Sequence, residues 1–163
     1  MSAQLKSNLS LRPMHMDDLD AIIQIEPTIY SHPWTRGNFS DSLNSGYSAW
    51  VIEDTVMEEK SQMIGYALMM IVMDEAHLLN LSIAKHRQKQ GLGRYLLEHM
   101  IVLAKRYKAA NMFLEVRPSN ISAIALYENT GFCEMAVRRS YYPSDPTIST
   151  TGREDAVLMG LAL

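Results

Sequence analysis

The pattern of apolar and polar residues along the chain predicts seven strands, each bounded by turn-forming residues. The predicted strands cover residues 8–12, 48–53, 62–73, 76–84, 111–116, 133–141 and 154–161. The connections at 54–60 and 74–75 are too short to hold a helical crossover. The second, third and fourth strands are therefore predicted to form an antiparallel meander.

A different spacing, of three and four residues, predicts helices. The clearest is amphipathic, with apolar residues on one face and charged residues on the other. Its apolar face consists of Leu92, Leu96, Met100, Leu103 and Tyr107, and its charged face of Arg94, Glu98, Lys105 and Arg106. A shorter helix is predicted over 121–129, with Gly131 at the position that closes it.

Two further helices are predicted near the start of the chain. Asp17 is the expected N-cap of the first helix, which runs to about Tyr30. Pro33 interrupts the chain, and Thr35 starts the second helix, which extends towards Leu43. The residues at helical spacing in the first helix are Leu19, Ile22, Ile23, Glu26 and Tyr30.

The order of these elements predicts a single mixed α/β domain over residues 1–163, because strands come first and then alternate with helices. The sequence has no internal repeat and no domain linker. Residues 1–7 are polar and are expected to be frayed. The segment 143–152 is rich in Ser, Thr and Pro, and little is expected to hold it rigid.

Composition and charge narrow the class of protein. Hydrophobic residues make up 47% and charged residues 20% of the chain, as in an ordinary soluble globular domain. The net charge of −3 argues against nucleic acid as the main partner, and a basic peptide suits this surface better. We see no signal peptide, and the longest apolar stretch, 64–73, is too short to span a bilayer. A cytoplasmic protein that is not bound to a membrane is expected.

Cysteine and histidine residues give little sign of redox or metal chemistry. Cys133 is the single cysteine, which excludes an internal disulfide. It falls in an apolar strand, where an inert thiol is expected. The histidines lack the spacing of metal ligands, so no metal site is predicted; they are His15, His32, His77, His86 and His99.

The segment Gln88-Lys89-Gln90-Gly91-Leu92-Gly93 joins the fourth predicted strand to the amphipathic helix. Glycine lets the backbone approach a bulky anion, and the N–H groups of the first helical turn point at that anion. A phosphate group is the natural ligand. Leu96 stands where a dinucleotide motif needs its third glycine, and the Gly-Lys-Ser/Thr of a Walker motif is missing. The alternative is a glycine-rich helix start that binds no ligand.

Two segments resemble motifs of the GNAT acetyltransferase superfamily. Gln88-x-x-Gly91-x-Gly93 is similar to the family's Q/R-x-x-G-x-G/A pyrophosphate motif. Asn120-x-x-Ala123-x-x-Leu126-Tyr127, followed by Gly131-Phe132, is similar to its N-x-x-A-x-x-L-Y…G-F segment. The resemblance covers about residues 9–161. It implies a GNAT-like domain with a mixed, mostly antiparallel central sheet of about six to seven strands and helices on both faces.

Three more segments resemble the branch of this family that acetylates the N-terminal alanine of a small-subunit ribosomal protein. They are Leu114-Glu115-Val116-Arg117-x-Ser119-Asn120, Arg138-Arg139-x-Tyr141-Tyr142-Pro143 and Gly152-Arg153-Glu154-Asp155-Ala156. The resemblance implies an acetyl-CoA-dependent N-alpha-acetyltransferase whose partner is the N-terminal peptide of a ribosomal protein. Two departures are Ser122, in place of a more usual alanine, and the segment 144–151, which is longer than expected for that branch.

The resemblance also assigns the residues that bind acetyl-CoA. The backbone of the fourth strand pairs with the pantetheine arm like an added strand, through Leu81, Ser82 and Ile83. Asn120 is a further implied contact of the cofactor. The implied pyrophosphate-binding residues are Lys89, Gln90, Gly91, Leu92, Gly93 and Arg94.

Glu115 lies inside the apolar segment 112–116 and is a candidate general base. Burial disfavours a charged carboxylate, which would make Glu115 a better base near neutral pH. Arg117 lies two residues on, on the same face of the strand, and could instead form a structural ion pair with it. The residues alone leave both alternatives open, and the family resemblance favours the base.

Tyr127 lies in the helix that follows this strand, where a core aromatic residue is the ordinary expectation. The family's tyrosine at this place protonates the departing CoA thiolate, and a phenol is a competent acid for that step. The resemblance therefore implies that Glu115 and Tyr127 serve one direct transfer to the amine.

Residues near the end of the chain could contact a peptide. The pair Tyr141 and Tyr142 suits either the core or the wall of a peptide groove, and Pro143 ends their strand at the expected groove mouth. Glu154 and Asp155 belong to the resemblance and could meet a basic peptide.

Two other functions stay open from the sequence. A GNAT enzyme could acetylate another protein N-terminus, a lysine side chain or a small amine. A GNAT domain without catalysis could bind acyl-CoA as a sensor, although the retention of Glu115 and Tyr127 argues against this.

Overall fold

The computed structural model describes residues 8–55 and 61–163, which form seven strands and four α-helices in the predicted order. The expected fraying of 1–7 and most of the predicted turn 54–60 lie outside the described residues. The elements are β1 (Leu9–Pro13), α1 (Leu19–Ile29), α2 (Arg36–Asn44), β2 (Ser48–Thr55), β3 (Ser61–Val72), β4 (Glu75–Ile83), α3 (Leu92–Arg106), β5 (Asn111–Val116), α4 (Ile121–Glu128), β6 (Cys133–Pro143) and β7 (Arg153–Ala162).

The start of the first helix differs from the prediction by one residue. A short 3₁₀ turn over Met16–Asp18 precedes α1. The carboxylate of Asp18, rather than that of Asp17, accepts a 2.7 Å hydrogen bond from the N–H of His15. Asp18 also forms a 2.8 Å ion pair with Arg12 of β1. The expected cap Asp17 is therefore wrong, because a partner on another element selects between two adjacent aspartates.

The seven strands form one mixed sheet in the order β1-β2-β3-β4-β5-β7-β6, with helices on both faces. The pairs β1–β2, β2–β3, β5–β7 and β6–β7 are antiparallel, and β4–β5 is parallel. A tight turn at Met73 and Asp74 joins β3 to β4, which requires antiparallel neighbours. The predicted fold class, α/β with a mixed and mostly antiparallel sheet, is confirmed.

The chain divides into two compact units. The first holds the described residues up to 70 and residues 80–100. Its core includes Phe39, whose ring centroid lies 5.3 Å from that of Trp34 and 5.7 Å from that of Tyr66. The hydrophobic effect of burying this surface stabilises the unit. The buried residues of this core are Met14, Leu19, Ile22, Phe39, Ala49, Val51, Tyr66 and Leu68.

The second unit holds residues 71–79 and 101–163. Within it β5 is flanked by β7, and β6 is the outermost strand. The side chains of β6 are exposed along nearly its whole length. Cys133, its first residue, is exposed, so the apolar strand in which an inert thiol was expected does not bury it. Buried apolar residues of this unit include Met112, Leu114, Val116, Tyr127, Phe132, Ala156 and Met159.

Strand β6 is irregular. Its register with β7 shifts between Glu134 and Ala136 and again between Arg138 and Tyr142. In the second irregular stretch, Ser140 has a left-handed φ of 50°, and its N–H donates a 2.8 Å hydrogen bond to Asp155. Such irregularities bend a strand and redirect its side chains.

The Ser/Thr/Pro-rich segment 143–152 is closed by its own hydrogen bonds. The N–H of Ser144 donates to the carbonyl of Gly152 at 2.9 Å. The N–H groups of Ile148 and Ser149 both donate to the carbonyl of Asp145 at 3.0 Å. These bonds contradict the expectation that little holds this segment rigid. Amino-acid composition does not predict them, because they depend on the local backbone conformation.

Candidate active site

The predicted pantetheine-binding residues lie in the second half of β4, where the strand loses its neighbour β5. Within the described residues, pairing with β5 covers Glu75–Leu78, whereas β4 continues to Ile83. An extended backbone whose ladder has ended can pair with another extended molecule. The residues predicted for this role are Leu81, Ser82 and Ile83.

Two side chains hydrogen-bond to carbonyl groups in this half of β4. The hydroxyl of Tyr30, just past the end of α1, donates to the carbonyl of Leu81 at 3.3 Å. The amide of Gln88 donates to the carbonyl of Ile83 at 3.0 Å. Carbonyl oxygens on this edge are therefore already used by the protein.

The glycine-containing loop leads directly into α3. Lys89 and Gly91 have left-handed φ values of 60° and 79°, which reverse the backbone ahead of the helix. A helical bond runs from the N–H of Tyr95 to the carbonyl of Gly91 at 3.1 Å. The N–H groups just before Tyr95 precede the helical ladder and can bind an anion. The loop and first turn thus hold the predicted pyrophosphate residues Lys89, Gln90, Gly91, Leu92, Gly93 and Arg94.

An ion pair that the sequence did not reveal anchors this loop to β2. The guanidinium of Arg87 donates to the carboxylate of Asp54 at 2.6 Å, with 13% and 10% of the two side chains exposed. It also donates to the side-chain oxygen of Gln90 at 3.1 Å. The prediction that Asp54 begins the connection 54–60 is wrong, because Asp54 lies buried within β2.

Glu115 lies on β5 in the second unit, and its side chain is 24% exposed. Its carboxylate lies 3.2 Å from the guanidinium of Arg138, which is 54% exposed. The ion pair with Arg117 that the sequence left open is not the one formed, because Arg117 pairs with Glu154 at 3.4 Å. The contact with Arg138 joins β5 to the irregular strand β6, and strand periodicity gives no signal for it.

Glu154 of β7 is buried and holds the end of β5. Its carboxylate accepts a 2.8 Å hydrogen bond from the N–H of Ser119 and pairs with Arg117. Burial opposes ionisation of Glu154, but the bonds from Ser119 and Arg117 outweigh it and hold the pKa of the carboxyl below its usual range. The carboxylate is engaged within the protein, so the expected contact of Glu154 with a basic peptide is not supported.

Asp155, the next residue, is partly buried, with 27% of its side chain exposed, and it too is hydrogen-bonded within the protein. Its carboxylate accepts hydrogen bonds from the N–H of Ser140 at 2.8 Å and from Arg139 at 2.7 Å. The bonds from Ser140 and Arg139 lower the pKa of Asp155. Asp155 therefore fixes the irregular part of β6.

Tyr142 is held in place by Arg117. The guanidinium of Arg117 lies 4.3 Å from the ring centroid of Tyr142 and donates to the carbonyl of Pro143 at 2.7 Å. Burial, together with the charge of Glu115, raises the pKa of Tyr142 to about 12. The hydroxyl of Tyr142 is therefore protonated at neutral pH. Tyr141 packs edge-on against it at 5.0 Å and is 44% exposed.

The other predicted residues of this unit lie in or before α4. Tyr127 is buried at 8% exposure, and its ring centroid lies 5.7 Å from that of Phe132. The core contact expected of this tyrosine is present. The side-chain oxygen of Asn120 accepts a 3.3 Å bond from the N–H of Ala123 and so caps α4.

Glu26 is the most deeply buried acidic residue described, at 1% exposure, and its role was missed from the sequence. Its carboxylate accepts hydrogen bonds from the hydroxyl of Tyr66, the N–H of Trp34 at 3.2 Å and the amide of Asn80 at 3.3 Å. Burial raises the pKa of Glu26. A charged residue at a helical position shared with Leu19 and Ile22 was the signal that could have revealed it.

Within the described residues, no three His, Cys, Asp or Glu side chains are grouped so that they could hold a metal ion. In the same part of the chain, no helix is long and apolar enough to cross a membrane.

Known proteins resemble the chain over almost all of its length. The profile of the acetyltransferase (GNAT) family matches residues 19–132. The ribosomal protein bS18-alanine N-acetyltransferase of Escherichia coli K12 is 37% identical over 94% of this chain and 97% of its own. Its counterpart from Haemophilus influenzae is 35% identical over 90% of this chain and 93% of its own. The crystal structure of the E. coli enzyme superimposes with a TM-score of 0.81 at 38% identity, over 94% of this chain and 93% of that one.

Proposed function

Because the chain belongs to the GNAT family of acetyltransferases, we propose that it transfers the acetyl group of acetyl-CoA to the N-terminal alanine of a small-subunit ribosomal protein. One observation carries the cofactor part of this proposal. The half of β4 that has lost its neighbour leads through a short 3₁₀ turn and the glycine loop to the N-terminus of α3. That order offers a backbone edge for an extended arm and N–H donors for a pyrophosphate.

In this proposal acetyl-CoA is held by backbone groups more than by side chains. The pantetheine arm pairs with Leu81, Ser82 and Ile83, and Asn120 adds a further contact. The left-handed φ of Gly91 brings the loop backbone close to the phosphates, where a side chain would intrude. The pyrophosphate then binds to the N–H groups and basic side chains of Lys89, Gln90, Gly91, Leu92, Gly93 and Arg94.

The proposed chemistry is a direct attack of the neutral amine on the thioester. Glu115 takes the proton from the substrate ammonium group or from the tetrahedral species, directly or through water, and the other proton that the nitrogen loses passes to solvent, from which Tyr127 is reprotonated. The guanidinium of Arg138 lies 3.2 Å from this carboxylate, which therefore already binds one cation, as it would bind the substrate ammonium group. Tyr127 gives a proton to the CoA thiolate as it leaves. The carbon–sulfur bond breaks, the carbon–nitrogen bond forms, and free CoA and the acetylated amine are the products.

The proposed acceptor rests on the relatives. Those from E. coli and H. influenzae are named for acetylating the alanine of ribosomal protein bS18, and the similarity extends over nearly the whole of both chains. The exposed ring of Tyr141 and the fixed ring of Tyr142 offer aromatic surface near the end of β6 for an extended peptide. A ribosomal substrate would place the activity in the cytoplasm.

A panel of acceptors tests the proposed function. The protein is incubated with acetyl-CoA and equal concentrations of peptides with an N-terminal alanine, blocked peptides with an internal lysine, and small amines. Mass spectrometry with fragmentation locates each acetyl group. Acetylation of the alanine α-amine ahead of the other acceptors is expected. A product on lysine or on a small amine alone would contradict the acceptor, and CoA binding without any product would identify a sensor.

A further inference from the structure

A chain of hydrogen bonds leads from buried Glu26 to the half of β4 that has lost its neighbour. Glu26 accepts from the amide nitrogen of Asn80 at 3.3 Å. The amide oxygen of Asn80 accepts from the hydroxyl of Ser82 at 2.7 Å. The oxygen of Ser82 lies 2.9 Å from the hydroxyl of Tyr30, which also donates to the carbonyl of Leu81 at 3.3 Å.

The direction of every donor in this chain follows from Glu26. The oxygen of Glu26 that faces Asn80 also accepts from the N–H of Trp34, so it is an acceptor, and Asn80 turns its nitrogen towards Glu26 and its oxygen towards Ser82. The proton of Ser82 is then committed to Asn80, and Ser82 can only accept from Tyr30. Tyr30 is therefore the last donor, and its proton is shared between Ser82 and the carbonyl of Leu81.

Burial raises the pKa of Tyr30 to about 12, so this last donor keeps its proton at neutral pH. The carbonyl of Ile83 is occupied in the same way by the amide of Gln88. In an extended strand, the N–H and C=O of one residue point to the same side. The carbonyl oxygens of Leu81 and Ile83 are therefore already hydrogen-bonded. The N–H groups of the same two residues point to the same side of β4 as these carbonyls.

We propose that Glu26 and Tyr30 are positioning residues for acetyl-CoA: together they keep the Leu81 carbonyl occupied, so that this edge of β4 presents N–H donors to the amide and thioester oxygens of the pantetheine arm. The inference rests on the proposed function, since it concerns the same acetyl-CoA site. A buried carboxylate is costly compared with an apolar residue, and a role in orienting donors gives it a reason to be kept. Loss of the Tyr30 hydroxyl would leave a carbonyl oxygen facing the oxygens of the arm.

The experiment compares CoA with a smaller ligand that keeps the adenosine 3′-phosphate end and lacks the pantetheine arm. Binding of CoA and of adenosine 3′,5′-bisphosphate, which lacks the arm and the pyrophosphate, is measured by calorimetry for the full chain. Tyr30→Phe removes only the hydroxyl. Tyr107→Phe is the matched control, because Tyr107 is 56% exposed on another helix end. We expect Tyr30→Phe to weaken CoA binding about three- to tenfold, the effect of one hydrogen bond, and to leave the bisphosphate unchanged.

Glu26→Gln tests the origin of the chain. It is expected to weaken CoA binding and to leave the affinity for the bisphosphate unchanged. In the double variant with Tyr30→Phe, the fold loss of CoA affinity should be smaller than the product of the two single fold losses, because both residues act in one network. Unchanged or tighter CoA binding in Tyr30→Phe would overturn the inference, as would an equal loss for both ligands. If the unaltered protein bound no CoA, the proposed function itself would fail, which is a different result from selective binding that ignores Tyr30.

Discussion

At the scale of single residues, Glu115 is the most informative position in the second unit. Its carboxylate faces Arg138 across a 3.2 Å contact, and Arg138 is more than half exposed. In the proposed mechanism a substrate ammonium group replaces the guanidinium there, because both are cations that donate hydrogen bonds to carboxylate oxygens. Tyr127 is buried beside Phe132, so its proposed acid role must be separated from its packing role by experiment.

Glu115→Gln and Tyr127→Phe are expected to lower kcat by about 10²–10⁴ with little change in CoA affinity. The first removes a base but keeps the size of the side chain, and the second removes only a hydroxyl. Steady-state kinetics and calorimetry measure the two quantities. A higher pH should partly rescue Glu115→Gln, because more of the substrate amine is then already neutral.

Two conservative changes serve as controls for these variants. Glu134→Gln alters an exposed carboxylate on β6, and Tyr107→Phe alters an exposed hydroxyl; both should keep the kcat of the unaltered protein. A lower Tm together with normal turnover in Glu115→Gln and Tyr127→Phe would indicate that the two residues only support the fold.

Glu154→Gln is expected to destabilise the fold by about 1–3 kcal/mol at pH 7, the cost of weakening a buried, charge-assisted contact. The native pKa of Glu154 is lowered, so its ionised form stabilises the folded state above the unfolded pKa near 4.5. That stabilisation is lost as pH falls through the native pKa. The difference in unfolding free energy between the two proteins should therefore shrink in acid. Urea titrations at pH 7 and below pH 4 measure it.

Glu128→Gln is the control for this titration, because Glu128 is exposed at the end of α4. It should show no difference from the unaltered protein at either pH. A stability gap for Glu154→Gln that is equal at both pH values would argue against an ionised, hydrogen-bonded Glu154.

At the scale of elements, the backbone conformation of the loop between β4 and α3 is what the proposed phosphate site depends on. Gly91→Val should weaken CoA binding sharply, because a branched side chain would project where the phosphates approach and would resist the φ of 79°. Calorimetric titration with CoA gives the affinity, and circular dichroism checks the fold.

Gly46→Val is the control that separates the two effects of Gly91→Val, backbone strain and obstruction of the phosphates. Gly46 has a similar φ of 75°, and an added Cβ there meets nothing within 4 Å. It should cost similar backbone strain and leave CoA affinity unchanged. Equal losses of affinity in both variants would mean that the phosphates bind elsewhere.

Elements were predictable wherever periodicity or a breaker residue determines them. The spacing of Leu92, Leu96 and Met100 predicted α3, and all three residues are fully buried. Seven strands in the right order followed from apolar runs and short connections. The errors lie where a distant contact decides: Asp18 rather than Asp17 meets Arg12, and Asp54 is drawn into β2 by Arg87. The hydrogen bonds within 143–152 could not be predicted either, because amino-acid composition does not specify which turns form.

At the scale of the whole molecule, we expect preference for an α-amine over a lysine ε-amine. Only the neutral amine attacks, and at pH 7 about a tenth of α-amines are neutral, against roughly 0.04% of lysines. The difference is worth about 3.3 kcal/mol before any recognition. A peptide with an N-terminal alanine and an internal lysine, analysed by mass spectrometry over time, gives the ratio of rates.

The control for this prediction is the same peptide with a blocked N-terminus, which leaves lysine as its only acceptor. It should react far more slowly. Faster acetylation of the internal lysine than of the free alanine would contradict the preference and favour a lysine acetyltransferase.

The motifs of the proposed site could be recognised in the sequence, whereas the side-chain contacts that support it could not. Motif resemblance assigned the cofactor contacts to β4, the following loop, the first turn of α3 and Asn120, and these assignments stay predictions. The residues that support these elements have partners far along the chain: Tyr66 lies 40 residues from Glu26, and Asp54 lies 33 residues from Arg87. Neither spacing nor composition records such pairs, because folding alone brings them together.

The irregularity of β6 bears on self-association of the protein at high concentration. An outermost strand of eleven residues with exposed Met135, Val137 and Tyr141 is a template onto which another chain could add, and from which fibres grow. Here the register breaks twice, and the guanidinium groups of Arg138 and Arg139 are held by ion pairs with Glu115 and Asp155. A second copy would meet misaligned hydrogen-bonding groups along this strand. The irregular stretch that begins at Arg138 is therefore expected to oppose the addition of another chain.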